Sequence, residues 1–88
     1  MTINELRDQV LTVLDSRNLK QPSRRKNALE HVLSYIENSN YISNGNIILP
    51  QDKETFKQGY MTHKGRNLNG AENSVINEIY KIYNQYES

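Results

Sequence analysis

Apolar positions recur at helical spacing in three stretches of the chain and switch to an extended pattern in one. Ile3, Leu6, Val10, Val13 and Leu14 share one helical face, leaving Arg7, Asp8 and Asp15 for solvent. Thr2 and Glu5 stand at the N-cap and N3 positions of a capping box, with Met1 and Leu6 at the flanking staple positions. The spacing predicts a helix from about Ile3 to Arg17, with Asn18 as a left-handed stop and Leu19 folding back on the last turn. A second helix is predicted after Pro22 and Ser23, with Leu29, Val32, Leu33 and Ile36 as its stripe, fading in Asn38-Ser39-Asn40.

The period then changes. Tyr41-Ile42-Ser43 and Asn46-Ile47-Ile48-Leu49 flank Asn44-Gly45, the dipeptide best suited to a type I′ turn. This predicts a hairpin with Ile42 opposite Ile47 and Tyr41 opposite Ile48, ended by Pro50. Two strands alone are marginal, so the hairpin must lean on helices. Asp52 reads as the cap of a short helix that carries Phe56 inward, runs to Gln58 and stops at Gly59. Tyr60-Met61-Thr62 reads as extended, and His63 to Asn67 as a turn. A last helix starts with a second capping box, Asn69 and Glu72, and carries Val75, Ile76, Ile79, Ile82 and Tyr83 out to about Tyr86. The fold expected is mainly α, three to four helices with one short β-hairpin, in a winged or helix-turn-helix-like arrangement. Its core would be Leu6, Val10, Leu14, Leu29, Val32, Ile36, Ile47, Val75, Ile76 and Ile79.

Length sharpens this to one small domain over residues 1–88, with 35% hydrophobic residues and a mean hydropathy of −0.85. The core must therefore be thin. The largest apolar patch is Ile47-Ile48-Leu49, so neither a membrane span nor a signal peptide is expected, and the cytoplasm is the expected setting. Cysteine is absent, which removes disulfides, thiolate metal sites and thiol nucleophiles. Asn occurs 12 times, Ile 8 and Tyr 6, against 2 Ala and no Trp. That profile fits AT-rich coding DNA, as in phages and low-GC bacteria.

Constellations for catalysis are missing. His31 and His63 have no carboxylate at a metal-ligand spacing, and Gly59, Gly65 and Gly70 are too scattered for a phosphate-binding loop. Asp52 and Glu54 sit in a hydrophilic segment. Neither an enzyme nor a cofactor or metal is expected.

Charge distribution says more than its sum of +1. From Ser16 to Leu29 there are Arg17, Lys20, Arg24, Arg25 and Lys26 with no acid, and from Thr55 to Gly70 there are Lys57, Lys64 and Arg66, plus His63, again with no acid. Arg24, Arg25 and Lys26 lie in a first helical turn, where the helix dipole disfavours each exposed cation by roughly 0.3–1 kcal/mol. Glu5 and Glu72 obey that rule elsewhere. A phosphate bound at this helix start would remove the conflict; pairing with acids of the first or last helix would also remove it.

The string Thr62-His63-Lys64-Gly65-Arg66-Asn67-Leu68-Asn69, followed by an aliphatic helix, resembles a Thr-His-x-Gly-Arg-x-Leu-Asn string of the T-even phage anti-sigma factor AsiA family. That resemblance implies a helix-turn-helix engaging the transcription machinery. The hairpin before the string departs from that pattern.

The expectation is a small regulatory protein, phage-encoded, that binds nucleic acid through two basic loops. Lys20, Arg24, Arg25, Lys26, Lys57, His63, Lys64 and Arg66 would meet phosphates, Arg66 would reach base edges, and Tyr60 would stack on bases or a partner. The alternative is a protein-binding inhibitor of a host transcription or defence factor, with tyrosines as hot spots. Ile79, Tyr80, Ile82, Tyr83 and Tyr86 wrap widely enough round the last helix to suggest a homodimer interface.

Overall fold

Both capping boxes form, and they set where the first and last helices begin. In the computed structural model, which describes residues 1–16 and 22–87, the elements are α1 (Ile3–Ser16), α2 (Pro22–Glu37), β1 (Ile42–Ser43), β2 (Asn46–Ile47), α3 (Lys53–Lys64) and α4 (Gly70–Glu87). The expected features at Arg17, Asn18, Leu19 and Lys20 lie outside the described residues. At α1, the Glu5 N–H donates to Thr2 Oγ1 at 3.2 Å and the Thr2 N–H to Glu5 Oε1 at 3.1 Å. At α4, the Glu72 N–H donates to Asn69 Oδ1 at 2.8 Å and the Asn69 N–H to Glu72 Oε1 at 3.1 Å. Each box satisfies two donors that a helix start otherwise leaves open.

The apolar stripes then pack as their periodicity requires. Helix α4 lies against α2 most extensively, then α1, and has smaller contact with α3. Every core residue expected from the sequence is buried, and Leu33, Leu49, Phe56, Tyr60, Tyr80 and Ile82 join them. The fold is mainly α with one β-hairpin, as its pattern predicts.

The hairpin has the predicted register, Ile42 opposite Ile47, and Asn44 and Gly45 both take positive φ, 54° and 82°. Such a pair of left-handed residues is what a type I′ turn demands. The Ile48 N–H donates to the Tyr41 carbonyl at 2.7 Å. On its other edge β2 is held by the chain start, where the Ile47 N–H donates to the Met1 carbonyl at 2.8 Å. The following strap is held by α4. Tyr83 Oη accepts from the Leu49 N–H at 3.2 Å, and the Tyr80 hydroxyl donates to the Pro50 carbonyl at 2.6 Å.

Helix α3 is longer than the sequence suggests. It is capped by Asp52, whose carboxylate accepts from the Glu54 N–H, but it passes through Gly59 and ends at Gly65, φ 74°. Tyr60, Met61 and Thr62 are therefore helical, and the turn begins only at Gly65. The physical reason is pairing at i and i+4: Phe56 and Tyr60 are both fully buried on one face of α3. Their burial outweighs the cost of one interior glycine, about 1 kcal/mol.

Gly59 is there for room. A Cβ at this position would stand 2.5 Å from Tyr35 Oη. The Tyr35 ring is fixed by Tyr41, Phe56, Tyr60 and His63, at centroid distances of 5.2 to 5.9 Å. Gly59→Ala should thus destabilise the protein by about 1–2 kcal/mol instead of stabilising the helix. In a Tyr35→Phe background the clash is gone and the same substitution should be neutral or favourable. A four-variant thermal denaturation cycle checks this, and equal effects in both backgrounds would refute it.

Candidate nucleic-acid interface

Arg24 of the first basic segment and Arg66 of the second meet on one side of the molecule. An open groove of about 370 Å³ runs between α2 and the start of α4, lined by Arg24, Asn27, Ala28, His31, Arg66, Asn69, Ala71 and Glu72. Arg24, Asn27 and His31 stand at i, i+3 and i+7 on one face of α2, so the groove follows that helix for about 10 Å. Two alanines leave the hollow between these polar side chains.

Arg24 is exposed and Arg25 half-exposed; among the described residues neither has an ion-pair partner. Lys26 turns away to Asp15 of α1 at 2.9 Å. The conflict with the helix dipole is thus relieved at Lys26 by an acid of the first helix, and no acid among the described residues relieves it at Arg24 or Arg25.

The opposite wall is built on Glu72, which is 2% exposed. Its carboxylate accepts from Arg66 Nη1 at 2.8 Å and Nη2 at 3.1 Å, from the Tyr60 hydroxyl at 2.5 Å, and from the Asn69 N–H. Burial alone would raise its pKa. The hydrogen bonds from Arg66, Tyr60 and Asn69, with the Arg66 charge, outweigh burial and hold the carboxyl at about 2, against an ordinary 4.5. Burial, and then the adjoining carboxylate, pushes the Tyr60 hydroxyl well above the usual phenol range. The Glu72 hydrogen bond and charge likewise raise the Arg66 guanidinium. Arg66 remains half-exposed, so it can face a ligand while it is oriented from behind.

At the other end of the groove, Lys64 Nζ lies 2.9 Å from His31 Nδ1 and 5.7 Å above the centre of the Tyr60 ring. His31, unremarkable in sequence, lines the groove. The signal that could have found it was its helical register with Arg24 and Asn27.

Several expected site residues lie elsewhere. Lys57 is buried, with Nζ on Asn73 Oδ1 at 2.7 Å and Glu54 at 4.0 Å, so it is a bridge between α3 and α4 and not a surface cation. Tyr60 is wholly buried beneath Glu72 and cannot stack on a base. His63 is exposed but packs on Tyr35, outside the groove. Lys20 lies outside the described residues. Ile79, Tyr80 and Ile82, expected at an interface, are core residues covered by the chain itself, and Tyr83 is half-buried over the strap. The apolar surface left on α4 reduces to Tyr86, and Ile48 is the other large hydrophobic residue exposed among the described residues.

The described residues hold no cluster of three or more His, Asp or Glu placed for a metal, and no helix among them is long and apolar enough to cross a membrane. The string from Thr62 to Asn69 forms the last turn of α3, its Gly65 stop and the Asn69 cap of α4. No protein-family model matches this sequence, and no curated protein or solved structure is significantly similar to it.

Proposed function

We propose that the protein is a small regulatory binder of nucleic acid that takes duplex DNA by its phosphates in the groove between α2 and α4. The observation that carries this reading is the meeting of Arg24 with Arg66, from two separate basic segments, in one hollow, with Lys64 beside its His31. The burial of Tyr60 supports phosphate contact over base stacking. Arg66 is a positioned wall of this groove, since Glu72 holds both of its terminal nitrogens. A phage origin and a cytoplasmic site of action belong to the same reading.

With a net charge of +1, the footprint on DNA is small. Two to three phosphates neutralised correspond to a log–log salt slope of about −2 to −3. Affinity for a short mixed-sequence duplex should therefore fall roughly tenfold or more between about 50 and 200 mM salt. Arg24→Gln should weaken binding and make the slope shallower by about one unit. Mobility-shift titrations measure both, and the absence of any binding at low salt would sink the reading.

The competing class is an inhibitor that occupies a host protein. Its hot spots would be tyrosines, but Tyr60 and Tyr80 are buried and Tyr83 lies half-covered. Pull-down from a host lysate with and without nuclease separates the classes: recovery of one partner despite nuclease would favour the inhibitor.

A further inference from the structure

Lys64 Nζ and His31 Nδ1 lie 2.9 Å apart, a hydrogen bond whose direction is set by the ammonium. An ammonium has only hydrogens to offer, so Nδ1 presents its lone pair and the ring proton sits on Nε2. We infer that His31 and Lys64 form a phosphate seat at one end of the groove, where an entering phosphate takes Lys64 from His31 and His31 takes up a proton to become a second donor. This deepens the reading of the groove as a nucleic-acid site and rests on it for the identity of the phosphate carrier.

The surroundings of His31 make the exchange one-sided. On its own helix the groove face carries Arg24, while Glu30 is turned to Arg7 of α1 at 3.0 Å. From α3 it meets Lys64, with His63 drawn off onto Tyr35. From the turn and α4 come Arg66 and Glu72, and Glu72 is engaged by Arg66, Tyr60 and Asn69. The groove thus gathers Arg24, Lys64 and Arg66 around His31, and the one carboxylate in its lining, Glu72, is already engaged. An incoming phosphate supplies the missing negative charge and several acceptor oxygens.

The sequence of contacts follows. Lys64 Nζ swings its hydrogen bond from Nδ1 to a phosphate oxygen. The bare lone pair of Nδ1 then faces a second phosphate oxygen, and two acceptors repel. A proton from solvent on Nδ1 turns that repulsion into a charge-assisted hydrogen bond, with Nε2 keeping its own proton. Arg24, along the same face of α2, lines the groove beyond this seat.

Two probes test the seat. Calorimetric titration with inorganic pyrophosphate, in two buffers of different ionisation heat, counts protons; pyrophosphate itself titrates near neutral pH, so the readout is a difference, and the wild type should take up more protons per site than His31→Gln. Anisotropy of a labelled mixed-sequence duplex at constant salt should show binding about tenfold tighter at about pH 6 than at about pH 8. His31→Gln should flatten that dependence, and His63→Gln should preserve it; both side chains are exposed, and thermal melting confirms that the variants fold. Proton uptake with pyrophosphate above that of His31→Gln but no duplex binding would support the seat and overturn nucleic acid as its ligand. Duplex binding that is indifferent to pH would overturn the seat and leave the nucleic-acid reading standing. Failure of both probes to bind would overturn both.

Discussion

Glu72→Leu should lower the unfolding free energy by about 3 kcal/mol and the melting temperature by roughly 15 °C. The carboxylate of Glu72 is where α3, α4 and the intervening turn are tied: Tyr60 reaches it from α3, Arg66 from the turn, and the Asn69 N–H from the cap. Leucine fills the space but leaves the Tyr60 hydroxyl buried without an acceptor, at a cost of about 1–3 kcal/mol. It also removes half of the capping box, worth about 1 kcal/mol. Arg66, half-exposed, turns to water and adds little. Tyr60→Phe should therefore cost nothing further in the Glu72→Leu background, although it is harmful alone. Thermal melts of the four variants decide the matter, and additive losses would show that the two groups act separately.

The same carboxylate makes a pH prediction. Its folded pKa of about 2 lies below the ordinary 4.5, so folding binds fewer protons than the unfolded chain. The stabilisation is complete above about pH 4.5 and is lost as pH falls towards 2, with a total on the order of 3 kcal/mol. Urea midpoints taken across this window should fall steeply in the wild type and more gently in Glu72→Gln. Parallel curves would mean that other carboxylates control acid unfolding.

Phe56→Ala should cost about 3–5 kcal/mol. Phe56 is fully buried, with Tyr35, Tyr41 and Tyr80 at 5.5, 5.8 and 5.7 Å from its centre, so one ring joins α2, the hairpin approach, α3 and α4. Helix α3 buries little besides Phe56, Lys57 and Tyr60, and it cannot refill the space by shifting, because Gly59 already fits closely under Tyr35. The cavity therefore stays open, which is the costly case. Chemical denaturation gives the loss, and near-ultraviolet circular dichroism should show the tyrosine signal weakened at once, since three of its rings lose their common neighbour. A loss under about 1 kcal/mol would mean that the ring cluster closes over the gap.

What could be read along the chain was whatever is settled within a few residues. Thr2 with Glu5, Asn69 with Glu72, and Asn44 with Gly45 are local devices, and each forms as its spacing dictates. Gly59 misled because its penalty is local while its reason, the Tyr35 hydroxyl, comes from another helix. Tyr60 and Lys57 misled in the same way: a tyrosine and a lysine near a basic turn look exposed until Glu72 and Asn73 arrive from α4 to receive them. Charge clustering marks Arg24, Lys64 and Arg66, but only the packing of α2 beside the start of α4 puts Arg24 and Arg66 in one hollow and Lys64 next to it. Glu72 read as a cap and nothing more, since the donors that load it lie six and twelve residues away.

The strap from β2 to Pro50 has a consequence for the molecule's internal clock. A hairpin of such short strands would ordinarily fray by itself and exchange its amide hydrogens quickly. Here the Ile47 amide is closed by Met1, ahead of α1, and the Leu49 amide by Tyr83, near the end of α4. Releasing either hydrogen means breaking a contact with the chain start or with α4. Those two amides should therefore exchange as slowly as the helical core, while Gly45 at the exposed tip exchanges orders of magnitude faster, so that two clocks run within five residues of backbone.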